Sequence, residues 1–147
     1  YMAACVANEL IKQGADVKMT NFATVLNDLF NCEDKNEYIR SLCRYSLLIL
    51  DDLGIERNTE YSLENLFNVI DARYVSGKAM IITTNLNLEE LKNQKQLSLK
   101  RIYDRVLERC IPVCVSENDF RKDNRVEAKV KFGKIINGGK MDEEKYE

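Results

Sequence analysis

The chain has 147 residues, 45% of them hydrophobic and 31% charged, and a formal net charge of −2. That length and mixture suit one globular domain able to bury a core, and the charge excludes a polycation that coats nucleic acid with its whole surface. No apolar run approaches the roughly 18 residues needed to span a bilayer, and no signal peptide is visible, so the sequence reads as cytoplasmic with no membrane partner.

Histidine is absent and cysteine occurs five times. Without histidine there is no Ser-His or Cys-His nucleophile pair and no histidine general base. The cysteines form no C-x-x-C pair, so a zinc site would need thiolates and carboxylates alone. Reduced, mostly buried thiols are the expected state. Chemistry must run on carboxylates, Lys, Arg, Asn and a metal.

In chain order, Tyr1 to Ile11 reads as a helix from the first residue, small and apolar on one face, with Gly14 as its stop signal. No N-cap precedes Tyr1, which reads as a fragment starting inside a helix. Asp16 to Thr20 reads as a short strand, and Thr20 or Asn21 then caps a helix through Val25, Leu26, Leu29 and Phe30. A polar break from Asn31 to Lys35 leads to a short helix, Glu37 to Arg44.

Residues Ser46 to Glu56 run Ser-Leu-Leu-Ile-Leu-Asp-Asp-Leu-Gly-Ile-Glu. Four consecutive aliphatics suit a parallel strand buried on both faces. Such a strand delivers Asp51 and Asp52 to the carboxyl edge of the sheet, where α/β proteins bind ligands. Adjacent carboxylates at that edge suit a Mg²⁺-nucleotide site, one holding the metal through water and the other orienting the attacking water. The competing reading is a strand-to-turn junction with exposed acids.

After the polar loop Arg57 to Glu60, Leu63, Leu66, Phe67, Ile70 and Tyr74 fall at helical spacing, and Gly77 stops the helix. Ala79 to Asn85 reads as a second buried strand with a polar end. Asn87 and Glu90 form a capping-box pair, and Ser98 is placed to cap a helix from Leu99 to about Arg109. Ile111 to Val115 reads as a last strand, with Pro112 at an edge or start position. The alternation β-α-α-β-α-β-α-β predicts a parallel α/β sheet with helices on both faces. Residues 1–119 read as the core domain and 120–147 as a partly flexible tail, in which Lys129 to Lys134 is solvated surface.

The order of these motifs resembles the AAA+ module of the DnaC/IstB family: Asp51-Asp52 as a Walker B segment, Thr83-Thr84-Asn85 ending the next strand, the helix bearing Arg101 and Arg105, then Phe120-Arg121. The resemblance implies a P-loop NTPase core with ATP and Mg²⁺ as cofactors. It implies that Asp51 holds the metal and that Asp52 polarises the lytic water. Asn85 takes the sensor 1 position; as an ordinary residue it is a turn former. Arg105, with Arg101 as rival, corresponds to an arginine finger acting on a neighbouring subunit, the alternative being solvated arginines paired with Asp104 or Glu108. Arg121 corresponds to a sensor 2 arginine.

The first helix resembles the one that follows a Walker A loop, so the chain begins just after that loop and lacks the first strand. As given it is expected to bind ATP poorly and to be inactive, since the loop's Lys and backbone N–H groups are missing. In the complete protein the resemblance implies an ATPase that loads or regulates a replicative helicase on single-stranded DNA and self-associates through the finger. The alternatives are an IstB-like transposition helper, a non-catalytic AAA+-fold interaction module, and another P-loop NTPase of the partition or RecA-like kind.

Overall fold

The computed structural model describes residues 1–54 and 59–115. Among them are three strands: β1 (Val17–Asn21), β2 (Leu47–Asp51) and β3 (Ala79–Ile82). They form one sheet in the order β1-β2-β3, both pairings parallel. Parallel neighbours need long crossovers. Helices α2 (Phe22–Asn31) and α3 (Lys35–Leu42) lie between β1 and β2, and α4 (Glu60–Ser76) lies between β2 and β3. Helix α1 (Met2–Lys12) precedes the sheet, while α5 (Leu88–Lys92) and α6 (Leu97–Arg109) follow it. Tyr1–Pro112 is one compact unit.

The four aliphatics of β2 explain the layering. Alternate side chains of a strand face opposite sides of the sheet. Leu48 and Leu50 join a cluster with Phe22, Val25 and Leu29 of α2, Leu66 and Ile70 of α4, and Ile102 of α6. Leu47 and Ile49 belong to a separate cluster with Ala3 and Ala7 of α1. Helices therefore cover both faces, as the sequence predicts. Full burial of Leu48, Ile49 and Leu50 stabilises the fold by about 1.5–3 kcal/mol per side chain, so β2 is the axis of both layers.

Local signals fix most element ends. The Asn21 side chain accepts from Thr24 N–H at 2.8 Å, so Asn21 rather than Thr20 caps α2. Gly77, with φ of 68°, ends α4. Asn87 and Glu90 form the reciprocal capping box of α5. The third helix starts earlier than predicted, at Lys35, because Asp34 accepts from Glu37 N–H at 3.0 Å. Ser98 is not a cap: α6 begins at Leu97 after Gln96, with no side-chain cap hydrogen bond. Burial of Ile102, Tyr103 and Val106 positions that helix instead.

Two strand expectations change. β3 stops at Ile82, three residues before Asn85. The run Ile111 to Val115 forms no strand, and Ile111 and Val113 are 88% and 75% exposed. A β-branched apolar pattern states a preference, but a strand exists only where a neighbour supplies ladder partners, and Pro112 has no N–H to donate. Of the second unit, residues 113–147, only residues 113–115 are described.

One feature of the core carries charge. Arg73 of α4 is 1% exposed. Its guanidinium donates to the carbonyls of Leu42 (3.4 Å), Tyr45 (2.8 Å) and Ser46 (3.1 Å), and also to that of Ala79. It thereby joins the end of α3 to the starts of β2 and β3. Burial lowers its pKa from the ordinary arginine value.

Candidate active site

The carboxyl end of β2 makes a sharp turn. Asp52 has φ of 57°, a left-handed conformation rare for a residue with a Cβ, and Gly54 has φ of 113°. Between them Leu53 is 1% exposed, anchoring the turn in the core. A Cβ on Gly54 would lie 3.2 Å from Leu86 Cδ1 and 3.5 Å from Thr84 Oγ1. The backbone angle favours glycine and the close approach of Leu86 adds to the preference, which gives a physical reason for the order Asp-Asp-Leu-Gly.

Thr83, the first residue after β3, fastens this turn through all its polar groups. Its N–H donates to the Leu50 carbonyl at 3.1 Å, and its own carbonyl accepts from Leu53 N–H at 2.8 Å. Its hydroxyl donates to Asp51 Oδ1 at 2.5 Å and accepts from Asp52 N–H at 2.9 Å. The second Asp51 oxygen has no hydrogen-bond partner among the described residues, and Asp52 is exposed. Asn85 stands two residues beyond Thr83, exposed, while the Thr84 hydroxyl accepts from Leu86 N–H at 3.1 Å and closes the next turn. The carboxyl edge of the parallel sheet thus carries two carboxylates, with Asn85 in the segment that follows β3.

This donor set fits a hard cation only in part. Among the described residues no group of three or more carboxylate or thiol side chains could enclose a metal ion. One partly buried carboxylate with a free oxygen is the kind of ligand Mg²⁺ takes when water and nucleotide phosphates supply the remaining positions. Asp51 would hold the ion, which on binding would neutralise phosphate charge. Beside the turn lies a cavity of about 180 Å³ whose lining includes Phe22, Gly54, Ser62, Leu66, Leu86 and Tyr103. Among the described residues, none of Asp51, Asp52, Asn85, Arg101 and Arg105 lines it.

The two predicted finger arginines lie elsewhere, on α6. They line a surface cavity with Phe67, Asp104 and Glu108 that includes none of Asp51, Asp52 and Asn85. Arg105 is held within the chain: its Nε lies 3.3 Å from Asp71 Oδ1, and its guanidinium lies 4.4 Å from the centroid of the Tyr74 ring. Tyr74 in turn donates to Glu108 Oε1 at 2.9 Å, so the predicted pairing of Glu108 with an arginine is replaced by a phenol contact. Arg101 is exposed, with no ion pair or ring contact among the described residues. Arg121, with Phe120, lies outside the described residues.

Sequence reading missed Thr83 and Arg73. Thr83 lies in the Thr83-Thr84-Asn85 string, whose resemblance to a sensor 1 segment points to the amide alone. A hydroxyl at a strand end opposite two carboxylates was the available signal. For Arg73 the available signal was an arginine on the apolar face of α4, three residues after Ile70.

A parallel sheet with helices on both faces, carrying carboxylates at the end of one strand and a polar segment at the end of its neighbour, is an α/β fold of the kind that binds ligands at its carboxyl edge. Its likeness to solved structures agrees: the crystal structure of DnaI superposes with a TM-score of 0.65 at 20% identity, over 81% of this chain and 64% of that one. The chain belongs to the family of IstB-like ATP binding proteins, which matches residues 1–128. It is 34% identical over 110 residues to the uncharacterised protein YdaV of Escherichia coli strain K12, covering 72% of this chain and 43% of that protein. It is 26% identical over 111 residues to the replicative helicase loader DnaC of the same strain, covering 72% and 44%. The matched stretch is therefore less than half the length of these relatives. Among the described residues no helix is long and apolar enough to cross a membrane.

Proposed function

We propose that this chain is the nucleotide-hydrolysing part of an ATP-dependent DNA replication protein that loads or regulates a replicative helicase on single-stranded DNA. The observation that carries the reading is the Asp51–Thr83–Asp52 arrangement at the carboxyl edge of a parallel sheet, in a family of ATP-binding proteins. The relationship to a helicase loader supports the choice of client. In this reading Asp51 holds Mg²⁺, Asp52 accepts a hydrogen bond from the attacking water, and Asn85 contacts the γ-phosphate or that water. Arg121 is assigned the sensor 2 contact.

Self-association through an arginine finger is part of the proposal. Arg105 corresponds to that position by resemblance, but the Asp71 and Tyr74 contacts already engage it. Arg101 projects from the same helix without such contacts, and we assign it the contact to the neighbouring subunit's phosphates. A guanidinium suits this role because it stays charged and forks onto phosphate oxygens. Membership of the IstB-like family leaves one second reading, an IstB-like ATPase that helps transposition.

The test uses the complete protein. Asp52→Asn should reduce ATP hydrolysis by about 100-fold or more while ATP binding persists. Undiminished turnover would remove Asp52 from the reaction. Loading of a replicative hexameric helicase onto a single-stranded circle, with and without the protein, separates the two clients. No stimulation there, with stimulated strand transfer by a transposase, would establish the second reading.

A further inference from the structure

We propose that Thr83 is a positioning residue for nucleotide hydrolysis, setting both the Asp51 carboxylate and the backbone that carries Asp52. The proposal rests on reading this edge as the ATPase site. One hydroxyl makes two bonds of opposite sense: it donates to Asp51 Oδ1 and accepts from Asp52 N–H. A hydroxyl can do both at once because it has one proton and two lone pairs. The donated bond fixes the Asp51 carboxylate and leaves its second oxygen as the free ligand. The accepted bond, with the backbone bonds that Thr83 N–H donates to Leu50 and that its carbonyl accepts from Leu53, holds Asp52 in its left-handed conformation. Aspartate tolerates that conformation better than most residues, and the bonds to Thr83 fix the turn in it.

Thr83 therefore acts through the two acids. A carboxylate free to rotate would present either oxygen to a metal. A relaxed turn would move Asp52 away from the water it orients, and a misplacement of about 1 Å is enough to slow a reaction by about 100-fold. Valine has the shape of threonine without the hydroxyl and so tests the bonds rather than the packing. Serine keeps the hydroxyl and drops the methyl group.

The experiment measures kcat, KM for ATP, the Mg²⁺ concentration for half-maximal turnover, and the affinity for a non-hydrolysable ATP analogue. It uses the complete protein and its Thr83→Val and Thr83→Ser forms. Thr83→Val should lose about 10- to 100-fold in kcat and need more Mg²⁺, with analogue affinity measured without metal unchanged. Thr83→Ser should restore both values towards wild type. Wild-type kcat and Mg²⁺ dependence in Thr83→Val would overturn the positioning role. Equal losses in the valine and serine forms would also overturn it, because the methyl packing would then be what matters. If Thr83→Val does not fold, Thr83→Ala with the same readouts decides between these outcomes. A wild-type protein that binds but does not hydrolyse ATP would overturn the ATPase reading, and this proposal with it.

Discussion

Arg73→Met should unfold this domain far more readily than its distance from the acids suggests. The substitution keeps an unbranched chain in the buried slot and removes a guanidinium that donates to four carbonyls at the starts of β2 and β3 and the end of α3. Hydrogen bonds from a charged donor contribute about 1.5–3 kcal/mol each. Three of these contacts, at 2.8, 3.1 and 3.4 Å, have ordinary or long distances. Their gross contribution is about 4.5–9 kcal/mol. Against it stands the cost of burying the charge, several kcal/mol, which methionine does not incur. That cost is the same effect that lowers the arginine's pKa. The difference leaves a destabilisation of about 3 kcal/mol, close to the upper end of ordinary single substitutions. In a domain of this size it corresponds to a fall of about 10 °C in melting temperature. Urea unfolding of wild type and Arg73→Met, followed by far-ultraviolet circular dichroism, measures it directly. A change below about 0.5 kcal/mol would show that water replaces the guanidinium at those carbonyls and that Arg73 does not join the three elements.

Two further outcomes separate structural groups from functional ones. Arg105→Ala should cost about 1 kcal/mol of stability, since it breaks a half-buried ion pair with Asp71 and a ring contact with Tyr74. Arg101→Ala should leave unfolding unchanged and lower turnover only in the assembled protein, with partial rescue on mixing with Asp52→Asn; loss of turnover in Arg105→Ala alone would return the finger role to Arg105. Tyr38 should make stability depend on alkaline pH: burial first, then its 2.7 Å hydrogen bond to Asp28 and that carboxylate's charge, hold the phenol well above its usual pKa. Because the folded value exceeds the unfolded one, this stabilisation is complete below about pH 10 and is lost as pH rises towards the folded value. The unfolding difference between wild type and Tyr38→Phe should therefore shrink above about pH 10, and a constant difference would contradict the reasoning.

The sequence by itself determined what depends on neighbours along the chain. Four aliphatics before two acids define β2, because a strand buried on both faces admits no alternation. Asn21, Gly77 and the Asn87–Glu90 pair mark helix ends, because caps act over three or four residues. The acids at the strand end and the family resemblance follow from the same local strings. The sequence expectation failed where an element depends on a distant partner: Ile111 to Val115 has strand-forming residues and no ladder, and Ser98 lies inside a helix whose start is set by buried Ile102 and Tyr103. Only the tertiary structure decided that Thr83, 32 residues from Asp51, donates to it. It alone placed Arg73 against carbonyls up to 31 residues away and committed Arg105 to Asp71. Each of these pairings comes from sheet register or helix packing. A side chain's partner across such an interface is set by how elements dock, a property that no local spacing encodes.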